Sequence, residues 1–244
     1  MSNSDTFISH LIELRMRLLR AIIGLVVVFI VLFPFANHLY TLLAQPLLSK
    51  LPEGGHMIAT AVTTPFFVPM KVAMLAAFVI SLPHTLYQAW SFIAPGLYAH
   101  ERRFMAPLVF ASTLLFFLGM AFAYYAVFPV IFGFLAGSAP AGVSVMTDIG
   151  SYLDFVSTLF MAFGFAFEVP VAVVLLVHFG MVNIKTLKEI RGYVIVGAFV
   201  VGAIFTPPDI ISQFMLAVPL WLLYEAGIFT ARFISPRVEE RIQP

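Results

Sequence analysis

Cysteine is absent from this chain and charge is scarce: Asp, Glu, Lys and Arg make up 10% of the residues, and neither sign dominates. Without cysteine there can be no disulfide, no thiolate metal site and no cysteine nucleophile. The chemical signatures of common enzymes are missing too. No GxxxxGK[ST] phosphate loop occurs, so the chain does not hydrolyse ATP by that device, and there is no HExxH or GxSxG. His84 and His178 each stand alone in or near an apolar run and read as packing or interfacial residues rather than ligands or bases. No catalytic residue, cofactor or metal is therefore expected. Internal repeats, low-complexity stretches and linkers are also lacking, which makes residues 1–244 a single domain. The first apolar run passes residue 30 without a small-residue cleavage site, so no cleavable signal peptide is expected. The net charge of +1 says little about partners, and nothing in it calls for nucleic acid.

What the chain has in abundance is apolar side chains. Hydrophobic residues make up 61% of it, with 27 Phe, and the mean hydropathy is +1.02. Too few polar side chains remain to cover a water-exposed surface. This is the composition of an integral membrane protein, and long uninterrupted runs mean helices rather than barrel strands. Six spans are expected, at 18–36, 72–93, 105–128, 155–179, 193–206 and 210–233. Crossing the hydrocarbon core takes about 20 helical residues, so the fifth run falls short before Pro207 and Pro208 stop it. The other five suffice.

Basic residues orient the spans. Arg15, Arg17, Arg20, Arg102, Arg103, Lys185, Lys188, Arg191, Arg232, Arg237 and Arg241 fall on one side, and only Lys50 and Lys71 on the other. The positive-inside bias puts the first side, with both termini and the polar hinge APGLYAHERR at 94–103, in the cytoplasm. Two longer segments on the opposite face, 37–70 and 136–154, are expected to fold as an extracytoplasmic cap of short helices and turns.

Four carboxylates stand out. Glu13 lies in HLIELRMRLL, an amphipathic start whose Leu11, Ile12, Leu14 and Leu18 can lie on the bilayer. Its spacing favours an i,i+4 pair with Arg17, contributing ~0.2–0.5 kcal/mol. Glu101, in the first turn before the third span, complements the helix dipole by roughly 0.3–1 kcal/mol. Glu225 is about 8 residues from the cytoplasmic end of the sixth span, close enough to snorkel toward Arg232. Glu168 is about 11 residues deep, where a carboxylate costs at least ~2.5 kcal/mol. It should face a polar cavity or a partner, or be protonated, and Pro170 should kink the helix beside it.

Four stretches together resemble one family. HLIELRMRLL at 10–19, FIAPGLYAHERR at 92–103, SYLDFVSTLFMAFG leading into FEVP at 167–170, and VGAFVVGAIFTPPD at 196–209 look like TatC, the multi-spanning receptor of the twin-arginine protein translocase. The resemblance covers essentially the whole chain. It implies an all-α membrane protein of six transmembrane helices with both termini cytoplasmic, fifth and sixth spans short, and an extracytoplasmic cap. It also implies a non-enzymatic role in the bacterial inner membrane. The chain would bind twin-arginine signal peptides and, in an oligomeric complex with TatA- and TatB-type single-span partners, export folded proteins at the expense of the proton gradient.

The family's signal-peptide patch maps onto Glu13, Leu14, Arg15, Phe92, Pro95 and Glu101, and its intramembrane carboxylate onto Glu168, with Glu225 as a second intramembrane acid. The small partners would dock on spans five and six, along Ala198, Gly202, Thr206 and Gln213. Ala198 and Gly202 form a small-xxx-small face that allows close helix approach. The rival is a proton-coupled solute carrier relaying through Glu168 and Glu225, but the matching interrupted repeats that such carriers show are missing.

Overall fold

The computed structural model describes residues 3–49, 56–93, 105–137, 146–206 and 210–234. Regular structure among these is helical, with one isolated parallel bridge between Ile58 and Asp148. The chain packs as two compact units, Met1–Leu43 with Ala59–Leu114 and Ala44–Ile58 with Leu115–Pro244.

From the first unit, α1 (Asn3–Leu32) runs through a 3-10 turn at Phe33–Phe35 into α2 (Ala36–Leu48), whose residues from Ala44 on belong to the second unit, so the amphipathic start and the first span are one helix. Leu11, Ile12, Leu14 and Leu18 are 41–57% exposed, as a lipid-facing stripe should be. α3 (Thr64–Ile93) packs on α1 and stays helical through Pro69 and Pro83. The first part of α4 (Met105–Phe122) completes this unit.

In the second unit, α4 continues through a π-helical turn at Ala123–Val127 into α5 (Phe128–Gly137). The bridge then fixes where α6 (Ile149–Phe167) starts. Ile58 N–H donates to the Thr147 carbonyl (3.0 Å), and Ile149 N–H to that of Ile58 (2.9 Å). Asp148 caps the helix by accepting from Gly150 and Ser151 N–H, both at 3.0 Å. Such a cap contributes about 1 kcal/mol.

Helices approach closely where glycine removes the side chain. A Cβ on Gly119 would lie 2.5 Å from the Phe163 carbonyl oxygen, and one on Gly164 2.4 Å from the Phe116 ring. Around these contacts Phe128 meets Phe160 at 5.0 Å and Phe132 meets Tyr152 at 5.4 Å. In lipid, where no hydrophobic force draws helices together, such close packing holds them.

The remaining elements are α7 (Val169–His178), α8 (Ile184–Glu189), α9 (Arg191–Phe205) and α10 (Ile210–Ile234). Among the described residues, five helical segments are long and apolar enough to cross a membrane: Ile8–Leu48, Thr64–Phe92, Ala106–Leu135, Ile149–His178 and Ile210–Phe233. α9, with 15 residues, is the short fifth span. The sixth, expected to be short as well, is not: α10 has 25 residues. It stays continuous because Pro219 is accommodated inside the helix. The prolines expected to turn the chain, Pro207 and Pro208, lie outside the described residues.

Candidate functional site

The polar chemistry of the first unit gathers on the face that α1 turns toward the end of α3. His10, Glu13, Arg17 and Gly24 recur at three-, four- and seven-residue steps, which puts them on one side of a helix. Two contacts set the register. The His10 ring stacks on Phe92 with centroids 4.4 Å apart. Farther along, His84 Nε2 lies 3.1 Å from the Arg20 carbonyl. Gly24 makes room for that ring, because a Cβ there would meet His84 Cδ2 at 2.7 Å. Phe92 and His84 thus fix the hinge end of α3 against the charged turns of α1.

Between these contacts Arg17 holds Glu13. Nε and Nη2 both donate to the same oxygen, Oε1, at 2.9 and 2.6 Å. Oε2 has no partner among the described residues, and the Glu13 side chain keeps 30% exposure. A carboxylate can accept two guanidinium groups on its two oxygens. The i,i+4 pair therefore orients Glu13 without saturating it, so the structural and the recognition readings of this residue are compatible.

The second unit carries the intramembrane acids. Glu168 sits at a break: α6 ends at Phe167, Glu168 has φ −76° and ψ −13°, and α7 begins at Val169. Pro170 causes the break, since it has no N–H to give to the ladder; the Glu168 N–H tightens to the Phe165 carbonyl at 3.1 Å. Oε1 of Glu168 is fully buried. On α10, Gly227 approaches this bend, and a Cβ there would lie 2.9 Å from Pro170 Cα. Two residues before Gly227, Glu225 Oε2 accepts from Arg191 Nη2 at 2.5 Å. Next to that pair, the Tyr224 hydroxyl donates to the Leu187 carbonyl at 2.7 Å, tying α8 to α10.

The family profile described as Sec-independent protein translocase protein (TatC) matches residues 9–219. The chain belongs to the TatC family. It is 55% identical to the TatC protein of Escherichia coli (strain K12) over 235 residues, 96% of this chain and 91% of that one. It is 56% identical to the TatC protein of Halothiobacillus neapolitanus over 227 residues, 93% of this chain; it spans 62% of the length of that longer relative. Its fold is similar to a solved structure titled "Crystal Structure of Twin Arginine Translocase Receptor- TatC", with TM-score 0.79 and 39% identity, covering 93% of this chain and 99% of the other. With the five long apolar helices, this makes the chain a multi-pass membrane protein of the translocase.

Within the TatC framework the expected site residues separate. Phe92 reaches the Glu13 face of α1 through its stack on His10, with Arg15 and Leu14 on the exposed side of α1. Glu101 and Pro95 lie outside the described residues. Glu225 does not reach for Arg232; its partner is Arg191, 34 residues earlier, because the start of α9 packs beside α10 at that level. The face proposed for partner docking is occupied from within. Ala198 and Gly202 are buried, and Gly202 packs on Gln213, whose Cγ and carbonyl oxygen would each be 3.1 Å from an added Cβ. Gln213 Nε2 donates to the Phe199 carbonyl (3.0 Å) and Thr206 Oγ1 to that of Gly202 (2.8 Å). The small-xxx-small pattern thus serves the α9–α10 hairpin itself. His10 and His84 shape this face although neither lies among the expected site residues; the seven-residue step from His10 to Arg17 is the sequence signal for the first, and the contact of the second with Arg20 is set by how the helices dock.

Proposed function

We propose that this chain is the signal-peptide receptor of a twin-arginine translocase, in which Glu13 and Glu101 bind the two arginines beside Phe92 and Pro95. It acts without catalysis, in a bacterial inner membrane, within an oligomeric complex with TatA- and TatB-type partners, and the proton gradient drives export. The observation that carries this is Glu13. Its carboxylate is held at one oxygen by Arg17, meets no partner at the other among the described residues, and is part-exposed one helical turn from His10, whose ring stacks on Phe92. Arginine's planar fork suits such an edge, whereas lysine offers a point charge. A labelled twin-arginine peptide is therefore expected to bind the reconstituted protein about tenfold or more tightly than its twin-lysine counterpart. Equal binding of the two peptides would reject the assignment.

Receptor function requires the hinge and both termini to face the cytoplasm, as the eleven-to-two basic asymmetry predicts. Reporters fused after Phe233 and within 96–101 should read cytoplasmic, and one at Gly54 should read outside. An outside signal at the tail removes the site from its peptide.

Partner spans are expected on the outer face of α9, where Val196, Val200 and Ile204 are 53–70% exposed. The helix covers only ~22 Å at 1.5 Å per residue, less than the ~30 Å hydrocarbon core, so a neighbouring span or thinned lipid must meet the mismatch. The absence of native cysteine makes crosslinking direct. Cysteines at Val200 and Ile204 should crosslink to a partner's transmembrane helix, and cysteines at Ala198 or on α1 should not. The reverse pattern would place the partners elsewhere.

A further inference from the structure

The hinge half of α3 carries a polar stripe that the recognition patch does not account for. Ser81, Thr85, Gln88 and Phe92 follow at steps of four, three and four residues and so line one side of the helix. Ser81 is 3% and Gln88 7% exposed. Ser81 satisfies its hydroxyl locally by donating to the Phe78 carbonyl at 3.0 Å. Thr85 Oγ1 and Gln88 Oε1 are equally buried, and neither has a hydrogen-bond partner among the described residues. A buried amide oxygen or hydroxyl left unpaired bears its desolvation penalty, so packing alone would favour leucine at 88 and valine at 85. The stripe also ends where recognition begins, because Phe92 is the residue whose ring holds His10 on the Glu13 face.

The chemistry of the two side chains selects a ligand. Gln88 offers a carbonyl acceptor and an amide donor in one plane, and Thr85 a hydroxyl that does both. A guanidinium, which only donates, would call for carboxylates. The complement of a donor and an acceptor together is a main-chain peptide group. A polypeptide entering apolar surroundings from the Glu13 end has that need, since main-chain N–H and C=O groups without partners are costly there. We infer that Thr85 and Gln88 form a subsite that hydrogen-bonds the main chain of the bound signal peptide, in the residues next to its arginine pair. This rests on the receptor role proposed above.

The test uses the full-length protein in lipid nanodiscs and labelled twin-arginine peptides, one unmodified and others N-methylated at single main-chain positions after the arginines. Gln88→Leu and Thr85→Val remove the polar atoms at nearly constant shape, and both should fold and insert as the parent does. Each is expected to bind the unmodified peptide about 5- to 10-fold more weakly. N-methylation at one or two positions should weaken binding to the parent by a similar factor, and that penalty should vanish in Gln88→Leu. Parent-like affinity in both variants would overturn the subsite and leave the stripe as hydrated packing; so would an N-methylation penalty that is identical in parent and variant. Should Gln88→Leu fail to fold, Thr85→Val carries the same comparison. If the arginine-over-lysine preference holds while both variants bind normally, only the subsite falls; if the preference itself is missing, the receptor role falls and the subsite with it.

Discussion

Replacing Glu13 and Glu101 together by glutamine is expected to lower twin-arginine peptide affinity about 100-fold. A hydrogen bond to a charged group contributes about 1.5–3 kcal/mol when partly desolvated. Taking the lower figure for each of the two carboxylates gives about 3 kcal/mol, which is that factor. The single variants should be unequal. Glu13 already shares its charge with Arg17 through Oε1, so a peptide arginine gains less there, and Glu13→Gln should cost only about 3- to 10-fold. Glu101→Gln should cost more. The preference for arginine over lysine peptides should shrink in Glu101→Gln, because the two-oxygen acceptor that distinguishes a fork from a point charge is gone. Fluorescence titration against both peptides measures this directly. An arginine-to-lysine ratio that stays at the parental value in the double variant would move the site off these two acids.

Gly119→Leu is expected to abolish the recovery of folded protein. An added Cβ alone would sit 2.5 Å from the Phe163 carbonyl oxygen and 3.0 Å from Phe167 Cβ. The first of these is main chain inside α6, so it cannot swing away as the end of a side chain could. Overpacking a well-filled contact costs about 1–3 kcal/mol even when neighbours adjust, and more when they cannot. Gly119→Ala should already lower the thermal midpoint measured in detergent. Gly133 and Gly197 supply the control, since an added Cβ at either meets nothing within 4 Å. Alanine at those positions should be neutral or slightly stabilising, by up to about 1 kcal/mol of helix propensity. Equal loss at all four substitutions would show that helix composition, and not the Gly119 contact, sets the stability.

The two α-helical hairpins differ in how much of them the amino-acid pattern foretold. The α1 face was legible because polar and apolar residues alternate with helical period: Glu13 and Arg17 fall opposite Leu11, Ile12 and Leu18, and only one arrangement puts the latter in lipid. Their i,i+4 pairing follows from local geometry and is present, at 2.6 Å. α9 offered no such guide. RGYVIVGAFVVGAIF is apolar all round, so nothing in its periodicity says which side faces α10. The small residues suit an outward docking edge as well as an inward one, but Ala198 and Gly202 are buried and Gly202 packs on Gln213. The exposed Val196, Val200 and Ile204 look just as suitable for burial in a one-dimensional pattern.

Composition and hydropathy by themselves determined that this is a helical membrane protein, how many long spans it has, that the fifth is short, and that Glu168 lies at a proline break. All of these depend on residues adjacent in the chain, where the cost of stranding main-chain polar groups in lipid admits one solution. The family motifs added the translocase identity. Only the tertiary structure decided that Glu225 pairs with Arg191 instead of Arg232, that Gly202 packs within its own hairpin, that His84 meets the Arg20 carbonyl, and that Thr85 Oγ1 and Gln88 Oε1 are buried without partners among the described residues. These are contacts between residues that lie far apart in sequence or on one face of an apolar helix. Their energies depend on which side chains arrive opposite one another when helices dock, and that information is not present in any single stretch of the chain.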